Sequence, residues 1–184
     1  MDVILQSFLL VAASEMGDKT QLLALVLALR FRNPTAIMSG ILLATIANHG
    51  IATLFGGWLS QKVSPEHLRL ALALIFFAFA LWILVPDKDE DGPKETRFGA
   101  FLTTLVAFFL AEMGDKTQLA TVALGAKFQA PLLVTLGTTL GMLFSDGLAV
   151  FFGERFTQKI PLKFVRIGAA LGFAVFGAAI YFGS

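Results

Sequence analysis

The sequence contains no cysteine, which excludes disulfides, thiolate metal ligands and thiol catalysis together. Any metal site must use oxygen atoms or the two histidines, His49 and His67. Charge is also scarce, with 15% Asp, Glu, Lys and Arg against 57% hydrophobic residues in 184. That leaves more apolar surface than one soluble core of this size can hide, so lipid is expected to cover much of the chain. The net charge of +1 is small. With no basic patch interleaved with aromatics, a nucleic-acid partner is excluded. Met1 and Asp2 run straight into an apolar stretch. No basic leader or small-residue cleavage site is visible, so no removable signal peptide is expected.

What is present is a series of long apolar runs. Val3 to Leu29, Ala36 to Leu59, Leu68 to Val85, Phe98 to Leu124, Leu132 to Phe152 and Phe164 to Phe182 each approach the roughly 20 residues that a membrane-crossing helix needs. None alternates as a lipid-facing barrel strand does, and helices are the other way to satisfy backbone groups in hydrocarbon. The expected fold class is an all-α integral membrane protein with six transmembrane helices.

Shifting the sequence by 97 positions pairs residues 1–87 with 98–184 without a gap, and 26 of the 87 pairs are identical. The matches include Glu15 to Leu22 on Glu112 to Leu119, Phe31 on Phe128, Pro34 on Pro131, Gly40 on Gly137, Gly50 on Gly147 and Arg69 on Arg166. Register held through spans and loops indicates internal duplication. Three spans per copy is an odd number, so the second copy enters the bilayer from the opposite side. The expectation is two inverted three-helix repeats, 1–87 and 98–184, joined by the charged linker 88–97 into one transmembrane domain. The wider segment Pro86 to Arg97 carries a Gly-Pro step and eight acidic or basic residues flanking it, and reads as a solvated connector. One set of short loops holds nine Lys and Arg (30, 32, 88, 94, 97, 155, 159, 163, 166) and the other three (62, 69, 127). The positive-inside rule places the nine-residue side and the linker in the cytoplasm, and both termini outside.

Glu15, Asp18 and Lys19 fall near the middle of the first span, and Glu112, Asp115 and Lys116 near the middle of the fourth. A charge there costs about 2.5–3.5 kcal/mol on insertion scales, so such residues usually face a bundle interior and mark an ion or proton path. On a continuous helix Glu15 and Asp18 would share one face about 4.5 Å apart along the axis. Gly17 and Gly114 permit close packing or a local break that exposes carbonyl ligands. Four carboxylates, supported by oxygen from Thr20, Gln21, Thr117 and Gln118, make a hard oxygen site suited to manganese, calcium or magnesium. Lys19 stands four residues after Glu15, and Lys116 four after Glu112. Helical ion pairs within each copy are therefore expected, with the lysines balancing charge, or else the helix unwinds at Gly17 and Gly114 and points them away. Four acids and two lysines leave a charge of −2, which one divalent ion or two protons would balance.

The second and fifth spans carry Asn48-His49-Gly50 and, at matching positions, Ser145-Asp146-Gly147. Asn48 and Asp146 are further candidate ligands, and His49 and Asp146 are candidates for proton coupling. The absence of an acid at position 49 makes the site asymmetric. Gly40, Gly50, Gly56, Gly137, Gly141, Gly147 and Gly153 are expected to allow close helix packing. The phenylalanines, Trp58 and Trp82 read as lipid-facing bulk or interface anchors.

The paired motif Glu-Met-Gly-Asp-Lys-Thr, at Glu15 to Thr20 and Glu112 to Thr117, resembles the signature of the uncharacterised protein family 0016, also called the Gdt1 and transmembrane protein 165 family of cation transporters. The likeness covers the whole chain. It implies manganese or calcium transport in exchange for protons, with bacterial members acting as manganese exporters of the inner membrane, and assigns the metal-ligand role to Glu15, Asp18, Glu112 and Asp115. The lack of a long amino-terminal extension points to a bacterial member. The expected function is secondary active manganese export coupled to protons, with Mn2+ or Ca2+ as cargo and no enzymatic cofactor. The rivals are a Ca2+/H+ exchanger, a passive cation channel, an exporter of a small organic cation, and an intramembrane protease using Asp18 and Asp115 as a proton-sharing dyad. The protease reading leaves Glu15, Glu112 and both lysines without a task. No oligomeric state follows from the sequence.

Overall fold

A computed structural model describes residues 3–85, 99–153 and 162–182. The linker 86–97 and the basic loop residues 154–161 lie outside them, as does the Arg166 side chain. Every regular element among the described residues is helical: α1 (Val3–Glu15), α2 (Lys19–Phe31), α3 (Pro34–Ser60), α4 (Pro65–Trp82), α5 (Ala100–Glu112), α6 (Lys116–Phe128), α7 (Pro131–Phe152) and α8 (Leu162–Phe182).

The local signals for these boundaries recur in both halves. Pro34, Pro65 and Pro131 each begin a helix, where the missing N–H would have had no intrahelical partner. The Asn33 side chain accepts the Ala36 N–H at 3.2 Å. Just before α3 and α7, Arg32 (φ 49°) and Gln129 (φ 50°) take the left-handed conformation that closes α2 and α6 and turns the chain back.

Among the described residues four helices are long and apolar enough to cross a membrane: Pro34–Ser60, Pro65–Trp82, Pro131–Phe152 and Lys163–Phe182. The expected first and fourth spans are not continuous helices. Each is split into two 13-residue helices only about 20 Å long, short of a hydrocarbon core of about 30 Å.

The contacts give the helices their directions. Gly137 lies against Ile4 and Ser7, and Gly141 against Phe8, Val11 and Ala12. Further along, Gln21 bonds to Ser145. Thus α1 and then α2 run beside α7 in its own direction. In the other half Gly40 meets Phe101 and Thr104, Asn48 reaches Phe109, and Gly56 meets Val122 and Ala126, so α5 and then α6 run with α3. The two long helices are opposed, since Thr53 bonds to Thr135 at 2.9 Å while Gly147 meets Met38. The broken pair α1–α2 therefore runs opposite to α5–α6. Outside them α4 packs on α8 through Phe76, Phe79, Phe173 and Phe176. Large apolar side chains cover the outer surface, with Leu132 85% and Phe182 81% exposed, as suits a lipid solvent.

The glycines divide. A Cβ on Gly56 would lie 2.0 Å from the Val122 carbonyl oxygen, and one on Gly125 2.6 Å from that of Thr53, so α3 and α6 touch backbone to backbone. Gly40, Gly137 and Gly141 are similarly close. Gly50 and Gly147 are not packing contacts of this kind, and Gly153 instead ends α7 at φ 61°. Gly56→Ala is expected to lose about 1–3 kcal/mol by overpacking, whereas Gly50→Ala in the same helix is neutral or slightly stabilising. Thermal unfolding of the two variants in detergent checks this, and equal losses would contradict the packing described.

Candidate cation site

The two helix breaks are where the charged motifs sit. Gly17 (φ 79°) and Gly114 (φ 82°) adopt a left-handed backbone that side chains disfavour. Each glycine lies in the short turn between two half-helices. The Glu15 and Glu112 carbonyls accept the Asp18 and Asp115 N–H groups at 3.1 and 3.2 Å. Asp18 and Asp115 are the residues capping α2 and α6, where a carboxylate meets the positive end of the helix dipole. Glu15 and Glu112 end α1 and α5, so the negative dipole ends favour a cation there.

The break overturns the helical pairing expected from spacing. With the chain turning at Gly17, Glu15 and Asp18 do not share one helical face, and Lys19 does not pair with Glu15. The ion pairs cross between the halves instead: Lys116 donates to Asp18 Oδ1 in a buried contact, and Lys19 Nζ lies 3.6 Å from Asp115 Oδ1 in a more exposed one. Lys116 likewise reaches Asp18 of the other copy and not the Glu112 of its own.

The glutamates differ although their sequences match. Glu15 is buried and accepts the Thr20 hydroxyl on Oε2 at 2.9 Å and the Thr117 hydroxyl on Oε1. Glu112 is equally buried, and neither of its carboxylate oxygens has a hydrogen-bond partner. It lies within electrostatic range of Glu15, Asp115, Asp146 and Asp18. Glu15, Glu112 and Asp115 each offer an oxygen within 4.8 Å of the others. Oxygen bonds of about 2.3–2.6 Å place opposed ligands about 4.6–5.2 Å apart, so a cation fits among them. Asp18, the fourth acid expected there, is not in this group.

The other candidates are placed as follows. Thr20 and Thr117 are spent on Glu15. Gln21 and Gln118 direct their amide oxygens to Gly17 and Gly114 rather than to the acids. Asn48 accepts from Gln118 Nε2 at 3.4 Å and donates to the Phe109 carbonyl at 3.1 Å. Asp146 is buried with neither oxygen hydrogen-bonded, within electrostatic range of Glu15. His49 is buried and neither ring nitrogen has a hydrogen-bond partner. Ser145, which stands in the candidate triplet Ser145-Asp146-Gly147, receives Gln21 and so acts as a partner for that side chain.

The family described as "Divalent cation/proton antiporter GDT1" matches residues 3–91 and 100–184. The chain belongs to this family. GDT1 proteins are membrane cation transporters and not enzymes. Over 90% of this chain and 84% of its own length, a Vibrio cholerae protein whose name provisionally makes it a manganese exporter is 44% identical. The Arabidopsis thaliana GDT1-like protein 3 is 27% identical over 98% of this chain and 71% of its own. The chloroplastic PAM71 homologue of the same plant is 31% identical over 96% of this chain and 58% of its own. No solved structure matches.

Two stability contrasts follow from the unequal environments. Lys116→Met leaves Asp18 without its buried ammonium partner and is expected to cost about 3–5 kcal/mol, while Lys19→Met costs about 1 kcal/mol or less. Glu112→Gln removes an uncompensated carboxylate and is expected to raise cation-free stability by about 1–2 kcal/mol, whereas Glu15→Gln lowers it. Melting temperatures in chelator-treated detergent samples read both contrasts, and the reverse order in either would contradict the geometry.

Proposed function

We propose that this GDT1-family chain exports manganese across a bacterial inner membrane in exchange for protons. The observation that carries the reading is the group Glu15, Glu112 and Asp115, contributed by both sequence copies and composed of hard oxygen donors of the kind Mn2+ accepts. Manganese is favoured by the name of the Vibrio cholerae relative, and proton exchange by the description of the family.

The proposed frame is six spans in two inverted three-helix repeats, 1–87 and 98–184. Each pair α1–α2 and α5–α6 makes one broken span, a reading supported by their opposite directions along α7 and α3. Inverted repeats meeting at broken helices suit alternating access to one site by rocking of one repeat against the other. Both termini would lie outside and the linker 86–97 in the cytoplasm.

In this scheme Glu15, Glu112 and Asp115 hold the ion. Asp18 joins them when Lys116 lets go, and Lys19 and Lys116 stand in for the ion once it leaves. Crossed pairing suits that exchange, because each ammonium sits against the acid of the opposite copy. With those two pairs neutral, Glu15 and Glu112 leave the charge of two that one Mn2+ or two protons balance, and Asp146 and His49 are the nearest candidates for passing protons. An all-oxygen donor set also accepts calcium, so the test compares both ions.

Reconstituted in proteoliposomes, the protein is expected to move Mn2+ faster than Ca2+, saturably, and only when a pH gradient or a proton counter-flux is allowed. Glu112→Gln and Asp115→Asn are expected to cut flux by about tenfold or more, equivalent to about 1.4 kcal/mol or more. Flux that ignores the pH gradient, or variants that transport like wild type, would overturn the proposal.

A further inference from the structure

Both motif glutamines form the same bridge, in two copies whose sequences and surroundings otherwise differ. Gln21 Oε1 accepts the Gly17 N–H at 2.9 Å, while its Nε2 donates to the Ser145 carbonyl at 2.9 Å and lies 3.3 Å from the Ser145 hydroxyl. Gln118 Oε1 accepts the Gly114 N–H at 2.7 Å, and its Nε2 donates to Asn48 Oδ1 at 3.4 Å. Asn48 in turn donates to the Phe109 carbonyl, one turn before Glu112.

The physical need is plain. A helix break at membrane depth strips an N–H of its intrahelical acceptor, and hydrocarbon offers none in return. A primary amide carries both an acceptor and donors on one rigid plane. It can therefore satisfy the glycine and reach a second element at once. In each case that second element belongs to the other half of the chain, since Ser145 lies on α7 and Asn48 on α3. The orientation is forced, because the glycine N–H only donates and the Ser145 carbonyl only accepts. The oxygen that a ligand role would require is thus turned to the backbone.

We propose that Gln21 and Gln118 are positioning residues that tie each helix break to the long helix of the opposite half, and that they do not ligate the transported ion. Building on the transporter reading above, this assigns them the coupling between rocking of the halves and reshaping of the site. The joints are unequal. Gln21 is buried and holds a main-chain carbonyl, while Gln118 is more exposed and holds a side chain at longer range. The break at Gly114 is the one that yields first.

The test separates coupling from ligation on the full-length protein in detergent and in proteoliposomes. Gln21→Leu is expected to speed amide exchange in the peptide holding Gly17 by about tenfold or more, as one half-buried donor loses its Gln21 acceptor. It should lower the maximum Mn2+ transport rate by a comparable factor while the Mn2+ dissociation constant, measured by calorimetry, stays within about threefold. Gln21→Glu, at a pH that keeps its carboxyl neutral, retains an acceptor for Gly17 and an O–H for the Ser145 carbonyl, and is expected to keep exchange at Gly17 slow. Gln118→Leu, at the weaker joint, should show the same pattern with a smaller loss of rate, and serves if Gln21→Leu fails to fold. Weakened Mn2+ binding in proportion to the lost rate, with amide exchange unchanged, would make the glutamines ligands and overturn the proposal. If wild type neither binds nor moves Mn2+, the manganese reading fails, and the exchange rates at Gly17 and Gly114 still decide whether the joints exist.

Discussion

Carboxylates placed where there is no bulk water need something to answer their charge, and in this protein much of that answer comes from the other half of the chain. Asp18 is answered by Lys116, Asp115 by Lys19, and Glu15 by Thr117 as well as its own Thr20. Neither motif is complete alone. The remaining features serve this arrangement: left-handed glycines interrupt the first helix of each copy, and close backbone contact of α3 with α6 and of α7 with α1 brings the breaks together. A buried pair stabilises little in net terms, yet loss of one partner is costly. Such a lock therefore specifies how the halves meet more than how strongly they hold.

The compensation is incomplete at two of the buried acids. Glu112 has no hydrogen-bond donor on either oxygen, and the same is true of Asp146. A protein that satisfied every buried acid would have no reason to take up a cation. One that satisfied none would not fold in lipid. Leaving Glu112 open beside Asp115 and Glu15 is the compromise that the transport proposal requires, since the free energy of taking up the ion or a proton is then concentrated at one point.

Much of this was legible in the sequence. Apolar runs gave the helices of α3, α4, α7 and α8, the 97-residue shift paired the two halves, and the expense of buried charge singled out Glu15, Asp18, Glu112 and Asp115, of which all but Asp18 lie in one group. What could not be read follows from one cause. The rule that residues four apart meet holds only on an unbroken helix, so the pairing of Lys19 with Glu15 gave way to the alternative in which the helix unwinds at Gly17. A glycine permits either outcome and does not choose between them. Where an ammonium points after a break is then decided by tertiary packing, and Lys116 reaches Asp18, 98 positions away. The Gln21 oxygen is visible in the sequence as a candidate ligand, while the Gly17 N–H that it accepts is exposed only after the helix parts. The same breaks turned two of the expected long spans into four short helices.

The central claim is that both copies close around a single ion. Crystals or frozen-hydrated particles of the full chain loaded with Mn2+ and imaged at the manganese anomalous edge, or by element-specific difference density, test it directly. One peak lying between the carboxylates of Glu15, Glu112 and Asp115 is the predicted result. A peak elsewhere, or two separate peaks each served by one motif alone, would contradict it.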